Sequence, residues 1–175
     1  MVVRPWRAGL WQATGPVLVF AGTLLIVSVL NPAYLHRTGI SIVTEAAAPI
    51  MVVAPGQAMV LNIGSIDLSN AAISLFGAIL LTMALPTFGV AALLGMLVVV
   101  TVLGSVNGAI LAYAQVPSFV LTLGTPGIIG VATLVMSGSE TIYVTHNRAL
   151  VTTLYQTRPL GVPLTFWLGV VVAGM

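Results

Sequence analysis

The chain has 175 residues, of which 59% are hydrophobic and 5% are charged, and this composition excludes an ordinary water-soluble domain and indicates a membrane protein. The net charge is +2, and the five arginines are scattered along the sequence, so the chain offers no basic patch for a nucleic acid. It contains no cysteine and no lysine, which excludes disulfides, thiolate metal ligands and a Walker A phosphate loop.

The first apolar segment covers about residues 8–30 and follows Arg4 and Arg7. The apolar core of a signal peptide has roughly 7–15 residues, so this longer segment predicts an uncleaved membrane span. Arginines occur on both predicted sides of the membrane, and the first helix usually sets the orientation. We therefore expect a cytoplasmic N-terminus.

The second apolar segment, about 39–62, has an unusual polar content for a helix in lipid. It contains Glu45, Pro49, Pro55 and Gln57. Proline removes a backbone donor and kinks a helix, which a membrane tolerates where protein or a cavity satisfies the freed carbonyl groups, so we expect this span to face protein. Glu45 is interpreted either as a functional carboxylate or as a side chain that reaches the membrane interface. Gln57 is expected to bond a neighbouring helix.

A long segment without Asp, Glu, Lys, Arg or His extends over residues 68–139. A spanning helix needs about 20 residues, so this segment holds several spans. Breaks at Pro86 and Thr87, and again at Gln115 to Pro117, predict spans at about 68–85, 88–113 and 117–137.

The chain becomes polar after residue 137. Residues 138–163 contain Glu140, Arg148 and Arg158 and predict an extramembrane segment. The apolar run at 164–175 then gives about 18 Å of helix against a hydrocarbon core of about 30 Å, so we expect the chain to end inside a span and to be a fragment. The whole pattern predicts an all-α fold: a polytopic transmembrane helix bundle of about five complete spans plus a truncated sixth, in one incomplete domain over residues 1–175.

The sequence GSIDLSN at 64–70 places the only aspartate of the chain, Asp67, between two apolar segments. One interpretation is a helix start, in which Asp67 or Ser69 accepts hydrogen bonds from free N–H groups of the third span. The other is an irregular turn whose polar groups line a substrate path, because irregular backbone at membrane depth is tolerated beside a cavity. The two interpretations are compatible.

Two further motifs are interpreted first as packing elements. GSVNG at 104–108 is a GxxxG motif that contains Asn107, and it predicts close helix approach with an interhelical hydrogen bond. FVLTLGTPGIIG at 119–130 predicts tight packing with a kink. Enzyme constellations are missing: one aspartate makes no catalytic dyad, His36 and His146 lack zincin spacing, and no GxSxG motif is present.

Three segments in order resemble the permease subunits of ribose-type ABC sugar importers: GSIDLS at 64–69, GSVNGAIL at 104–111 and VPSFVLTLGT at 116–125. The resemblance covers roughly residues 40–138 and implies the N-terminal half of such a subunit. It implies a permease for a monosaccharide or related small polar solute in the bacterial inner membrane, with no catalysis and no cofactor of its own. Asp67 would cap a rigid helix beside the translocation path.

The resemblance also implies partners and site residues. The partners would be a second permease subunit, usually forming a homodimer, cytoplasmic ATPase subunits that use ATP and magnesium, and a periplasmic or lipid-anchored sugar-binding protein. Candidates for the translocation path or its gate are Gln57, Ser65, Asp67, Ser69, Asn107, Phe119, Thr122 and Thr125. Candidates for docking the binding protein are Arg148 and Arg158, although residues 138–163 are equally interpreted as a solvated loop or an interfacial helix.

Two alternative functions stay open at this point. The chain could be a truncated membrane fragment that inserts but transports nothing. It could also be a gradient-driven secondary transporter, which Glu45 and the proline-broken second span suggest.

Overall fold

The computed structural model describes residues 5–174, with side chains from Thr14 onward, and this part of the chain is helical without strands. The predicted all-α bundle is therefore confirmed. Arg4, the side chain of Arg7 and Met175 lie outside the described residues. The helices are α1 (Pro5–Leu30), α2 (Arg37–Asn62), α3 (Asn70–Phe88), α4 (Ala91–Ala114), α5 (Ser118–Ser137), α6 (Ala149–Gln156) and α7 (Leu164–Gly174), with short 3-10 helices at Pro32–Leu35 and Pro159–Gly161.

Four helices of the described part, α2 to α5, are long and apolar enough to cross a membrane, while Thr14–Leu30 and α7 are shorter apolar helices. The chain is thus a multi-pass membrane protein. The five complete spans, their bounds and the assignment of residues 1–175 to one permease domain stay predictions.

The break between α3 and α4 differs from the predicted one at Pro86 and Thr87. The helix includes Pro86 near its C-terminal end and continues to Phe88. It ends at Gly89, whose φ of +56° and ψ of −138° suit glycine, and whose N–H donates to the Leu85 carbonyl at 2.9 Å.

The helices pack in two groups. In one group, α2 packs against α7 and the first 3-10 helix, and α6 against α7; in the other, α3 packs against α4 and α5. Close approach depends on glycines: a Cβ at Gly169 of α7 would lie 3.0 Å from Met51 Cβ, and one at Gly77 of α3 would lie 2.9 Å from Val100 Cγ1. Small residues at these contacts let the helix backbones approach, which is how helices associate in lipid.

The predicted packing role of Gly104 and Gly108 is wrong for the described part of the chain. A Cβ at either glycine would meet no atom within 4 Å, and both line an open cavity instead. The interhelical hydrogen bond predicted for the same motif is present, because Asn107 bonds α5. The motif thus contributes its amide to the contact and leaves its glycines open.

Residues 138–163 lie against the helix ends opposite the 64–69 turn. Asn147 Nδ2 donates to the carbonyls of Leu85 and Pro86, each at 3.1 Å, at the end of α3. Arg158 Nη1 donates to Ser41 Oγ near the start of α2. The segment contains α6 and a 3-10 helix. Because these hydrogen bonds reach both α2 and α3, the segment joins the two helix groups at this end.

Candidate functional site

The turn between α2 and α3, residues 63–69, begins with a Schellman-type helix end. Gly64 has a φ of +75°, its N–H donates to the Leu61 carbonyl at 2.9 Å, and the N–H of Ser65 donates to the Val60 carbonyl at 3.1 Å. Glycine is favoured at this position because the left-handed conformation crowds a Cβ. The sequence NIGS therefore stops α2 by local chemistry.

Asp67 then fixes the second half of the polar turn. Its Oδ1 accepts from the Ser69 N–H at 2.8 Å and from Ser69 Oγ at 2.6 Å. Asx turns of this kind replace a backbone hydrogen bond with a side-chain one. The helix begins at Asn70 with Ser69 as N-cap and without a side-chain cap bond. Asp67 thus holds the turn before the helix, and the predicted helix-capping role is wrong.

A polar relay connects this turn to α4 and α5. Thr125 Oγ1 donates to Asn107 Oδ1 at 3.0 Å, Asn107 Nδ2 donates to Ser69 Oγ at 3.2 Å, and Ser69 Oγ donates to Asp67 Oδ1. Ser69 is almost fully buried. Hydrogen bonds in such a chain reinforce one another in a low-dielectric interior. The relay brings residues from all three sequence motifs together.

A second branch connects the turn to α2. Gln57 Nε2 donates to the Asp67 carbonyl at 3.2 Å, and Asn70 Nδ2 donates to Gln57 Oε1 at 2.7 Å. The expectation that Gln57 bonds a neighbouring helix is confirmed. Together with the first branch, this bridge ties α2 to the α3–α4–α5 group.

The backbone of the turn is satisfied by the start of α5. Ser118 Oγ accepts from the Ile66 N–H at 3.0 Å, and the buried Thr122 hydroxyl shares its one proton between the Ile66 carbonyl at 3.2 Å and the Ser118 carbonyl at 2.9 Å. Irregular backbone at membrane depth needs such partners because lipid supplies none. The turn is therefore anchored on both its side-chain and its backbone groups.

The structure gathers most of the predicted path residues and separates one. Gln57, Asp67, Ser69, Asn107, Thr122 and Thr125 join the hydrogen-bonded cluster, and Ser65 lines a cavity beside it. Phe119 is 51% exposed and stands apart. The prediction missed Asn70 and Ser118; the spacing of Ser118, Thr122 and Thr125 at i, i+4 and i+7 places them on one face of α5 and could have revealed Ser118.

Two cavities flank the polar turn. The larger, about 740 Å³, lies between α2 and the first turns of α3 and is called here the α2–α3 cleft. The smaller, about 410 Å³, lies between the turn and α4 and includes Gly104 and Gly108 in its wall. Of the described residues, Asp67 alone lines both. The interpretation of GSIDLS as an irregular polar turn beside open space agrees with this geometry.

The candidate docking arginines have different surroundings. Arg158 pairs with Glu45, with Nη2 at 3.7 Å from Oε2, so Glu45 lies at the end of α2 that meets residues 138–163. Arg148 donates through Nε to the Val144 carbonyl at 2.6 Å within its own segment. Arg158 thus has an intramolecular role, and among the described residues Arg148 makes no ion pair.

The Glu45–Arg158 pair predicts a small charge-dependent effect on stability. Arg158→Glu should lower the free energy of unfolding by about 0.2–1 kcal/mol, because both side chains are more than a third exposed and solvent screens the pair. The double variant Glu45→Arg with Arg158→Glu should recover most of this loss. Denaturant unfolding in detergent micelles, with Arg148→Glu as the control, measures it. No recovery in the double variant contradicts the pairing.

Three curated permeases are similar to most of this chain. Ribose import permease protein RbsC of Haemophilus influenzae is 29% identical over 83% of the chain and 46% of its own length. D-allose transport system permease protein AlsC of Escherichia coli is 28% identical over 80% and 44%, and probable ABC transporter permease protein y4mJ of Sinorhizobium fredii is 30% identical over 93% and 45%. The chain spans slightly less than half the length of these relatives. No family model matches the chain, and no solved structure matches it significantly.

Proposed function

Because the chain belongs with the permeases of ribose-type ABC sugar importers over the part it shares with them, we propose that it forms part of the translocation path of such an importer. The solute would be a monosaccharide or a related small polar molecule. The names of two relatives refer to ribose and D-allose, which supports this class without selecting a member of it. Energy would come from ATP hydrolysis in a separate subunit.

The observation that carries the proposal is the position of the hydrogen-bonded polar turn between two cavities. Ser69, Asn107 and Thr125 hold the turn through the relay, while Asp67 lines the open space on both sides. A polar solute that crosses an apolar bundle needs hydrogen-bonding groups on its route, and these groups must be held in place by their neighbours. The polar turn meets both requirements.

The proposed partners are a second permease subunit, two cytoplasmic ATPase subunits and a sugar-binding protein, in the bacterial inner membrane. With a cytoplasmic N-terminus, residues 138–163 would lie on the periplasmic side. Their contacts with the start of α2 and the end of α3 support a location on the side opposite the polar turn. Arg148 is the better candidate for docking a binding protein, since Arg158 already contacts Ser41 and Glu45.

Uptake by the full-length importer tests the proposal. The permease that contains this chain is reconstituted in proteoliposomes with its ATPase and binding protein, and uptake of labelled ribose and D-allose is followed. We expect uptake of at least one sugar that requires ATP and the binding protein. A permease that accumulates sugar on an ion gradient without ATPase would identify a secondary transporter. No uptake of ribose or D-allose under either condition would contradict the importer proposal.

The pairing of Glu45 favours the ATP-driven proposal over gradient coupling. A coupling-ion site needs a carboxylate that is free to bind the ion at membrane depth. Glu45 is 3.7 Å from an arginine near the end of its helix. Its charge is therefore already balanced by a neighbouring side chain.

A further inference from the structure

We propose that the α2–α3 cleft is a binding subsite for neutral, polyhydroxylated solutes, in which Asp67 and Asn70 accept hydrogen bonds from solute hydroxyl groups. This inference rests on the proposed function and specifies one place and one chemistry within it. The carrying observation is that Asp67 and Asn70 both line a cleft of about 740 Å³ and that each has one acceptor oxygen without a hydrogen bond among the described residues.

Two residues that line the cleft each have one side-chain oxygen without a hydrogen-bond partner among the described residues. Asp67 uses Oδ1 to hold Ser69, and Oδ2 makes no hydrogen bond. Asn70 donates through Nδ2 to Gln57, and its Oδ1 is likewise unbonded. Among the described residues, every side-chain polar atom that is fully buried has a hydrogen-bond partner. Asp67 and Asn70 are half-buried, and because these two oxygens have no partner, they must be accessible from open space.

The positions of these oxygens are fixed by bonds on the far side of the same groups. Ser69 binds the Asp67 carboxylate, and Gln57 binds both the Asp67 carbonyl and the Asn70 amide. A solute would therefore meet acceptors that are already oriented, and it would not have to order them. This arrangement distinguishes the subsite from a set of mobile polar side chains.

The rest of the cleft suits the carbon skeleton of such a solute. Its wall consists mainly of apolar side chains from α2, among them Val53 and Ala58, and Ser74 stands on the α3 side. Small-molecule sites typically have volumes of about 300–1,000 Å³, mostly apolar walls and a few placed polar groups. The cleft has this composition, with the polar groups concentrated at the 64–69 turn.

The charge of the cleft selects against anions. Asp67 is a carboxylate without an ion-pair partner among the described residues, and the one described ion pair joins Glu45 and Arg158. Along α2, Glu45 is 12 residues before Gln57, which corresponds to about 18 Å of helix. An anionic solute would meet an uncompensated like charge, which is costly in a low-dielectric environment. The cleft should accept ribose and reject ribose 5-phosphate.

Cysteine protection tests the subsite, because the chain contains no cysteine. Ser74→Cys places a reporter in the cleft, and Ser139→Cys, exposed in the 138–163 segment, is the control outside the cavity walls. Each variant is placed in lipid nanodiscs and treated with a cationic methanethiosulfonate reagent. We expect Ser74→Cys to react, and ribose or D-allose at ten times its dissociation constant to slow the reaction about tenfold. Ribose 5-phosphate should give no protection, and the sugars should leave the rate of Ser139→Cys unchanged.

Asp67→Asn in the Ser74→Cys background tests the carboxylate itself. The variant keeps an oxygen for Ser69 and should react at the unprotected rate, but the same sugar concentration should no longer protect the cysteine. An unreactive Ser74→Cys, no protection by ribose or D-allose, equal protection by the phosphate, or protection retained in Asp67→Asn would each overturn the proposal. The assay needs neither ATPase nor binding protein, so uptake without protection would reject the subsite alone, and protection without uptake would reject the transport proposal alone.

Discussion

Gly39→Ala is expected to destabilise the chain by about 2–3 kcal/mol, in the range of overpacking substitutions. A Cβ at Gly39 would lie 2.5 Å from Tyr34 Cα, 2.6 Å from the Ala33 carbonyl oxygen and 2.7 Å from the Tyr34 carbonyl oxygen. All three are backbone atoms of the 3-10 helix that folds against the start of α2, so no side-chain rotation relieves the contact. The substitution must push the 3-10 helix away from α2.

Gly56→Ala is the matched control for this prediction. Gly56 lies in the same helix, and a Cβ there would meet no atom within 4 Å. Alanine is better than glycine in a helix interior by about 0.5–1 kcal/mol, so Gly56→Ala should leave stability unchanged or raise it. Denaturant unfolding of both variants in micelles, followed by circular dichroism, gives the comparison. If Gly39→Ala is as stable as Gly56→Ala, the close contact between α2 and the 3-10 helix is wrong.

Asn107→Leu is expected to reduce stability by about 1–2 kcal/mol, because the polar relay then loses its central member. The Asn107 amide connects Ser69 with Thr125, and it alone joins α4 to the polar turn by a hydrogen bond among the described residues. The single hydroxyl proton of Thr125 can then be donated to the Leu121 carbonyl at 3.1 Å, whereas the buried Ser69 hydroxyl loses the donor that it accepts from. Full-length importer with this substitution should also lose most of its uptake, since the turn between the cavities is released from α4.

A double-mutant cycle separates this relay from ordinary packing. Asn107→Ala, Thr125→Val and the double variant should give a coupling energy of about 0.5–1.7 kcal/mol. Ser105→Ala on the same helix should change stability by less than about 0.5 kcal/mol, because Ser105 makes no described hydrogen bond. A coupling energy near zero would mean that Asn107 and Thr125 act independently and that the relay is not a unit.

Most of the candidate site follows from the sequence because its signals are local. An aspartate and two serines between apolar segments identify a polar break, and Gly64 marks the end of the preceding helix. The role of Asp67 did not follow, because both an Asx turn and a helix cap use the same residue type two or three positions apart. The start of the helix at Asn70 decides between them, because the Ser69 N–H that bonds Asp67 Oδ1 then lies before the helix.

Phe119 shows that the direction in which a side chain faces is harder to predict than the segment that holds the site. It lies in the same motif as Thr122 and Thr125, yet it is exposed on α5 while they bond the turn and Asn107. The helices of this chain are apolar on nearly all sides, so hydrophobic periodicity carries little information about which face meets protein. The glycines illustrate the same limit: Gly104 and Gly108 form a packing motif in sequence, whereas Gly39, Gly77 and Gly169 make the close contacts.

The sequence by itself determined that this protein is a multi-pass helical membrane protein with a polar turn after its second helix. The lengths of the apolar segments and the turn residues between them suffice for this, because backbone N–H and C=O groups in lipid must form hydrogen bonds within their own helix. Only the tertiary structure decided that α7 packs on α2, that Arg158 meets Glu45, and that Asn107 connects the turn to α5. These contacts join residues far apart in the chain, and they depend on the rotation of each helix about its axis, which a uniformly apolar sequence leaves undetermined.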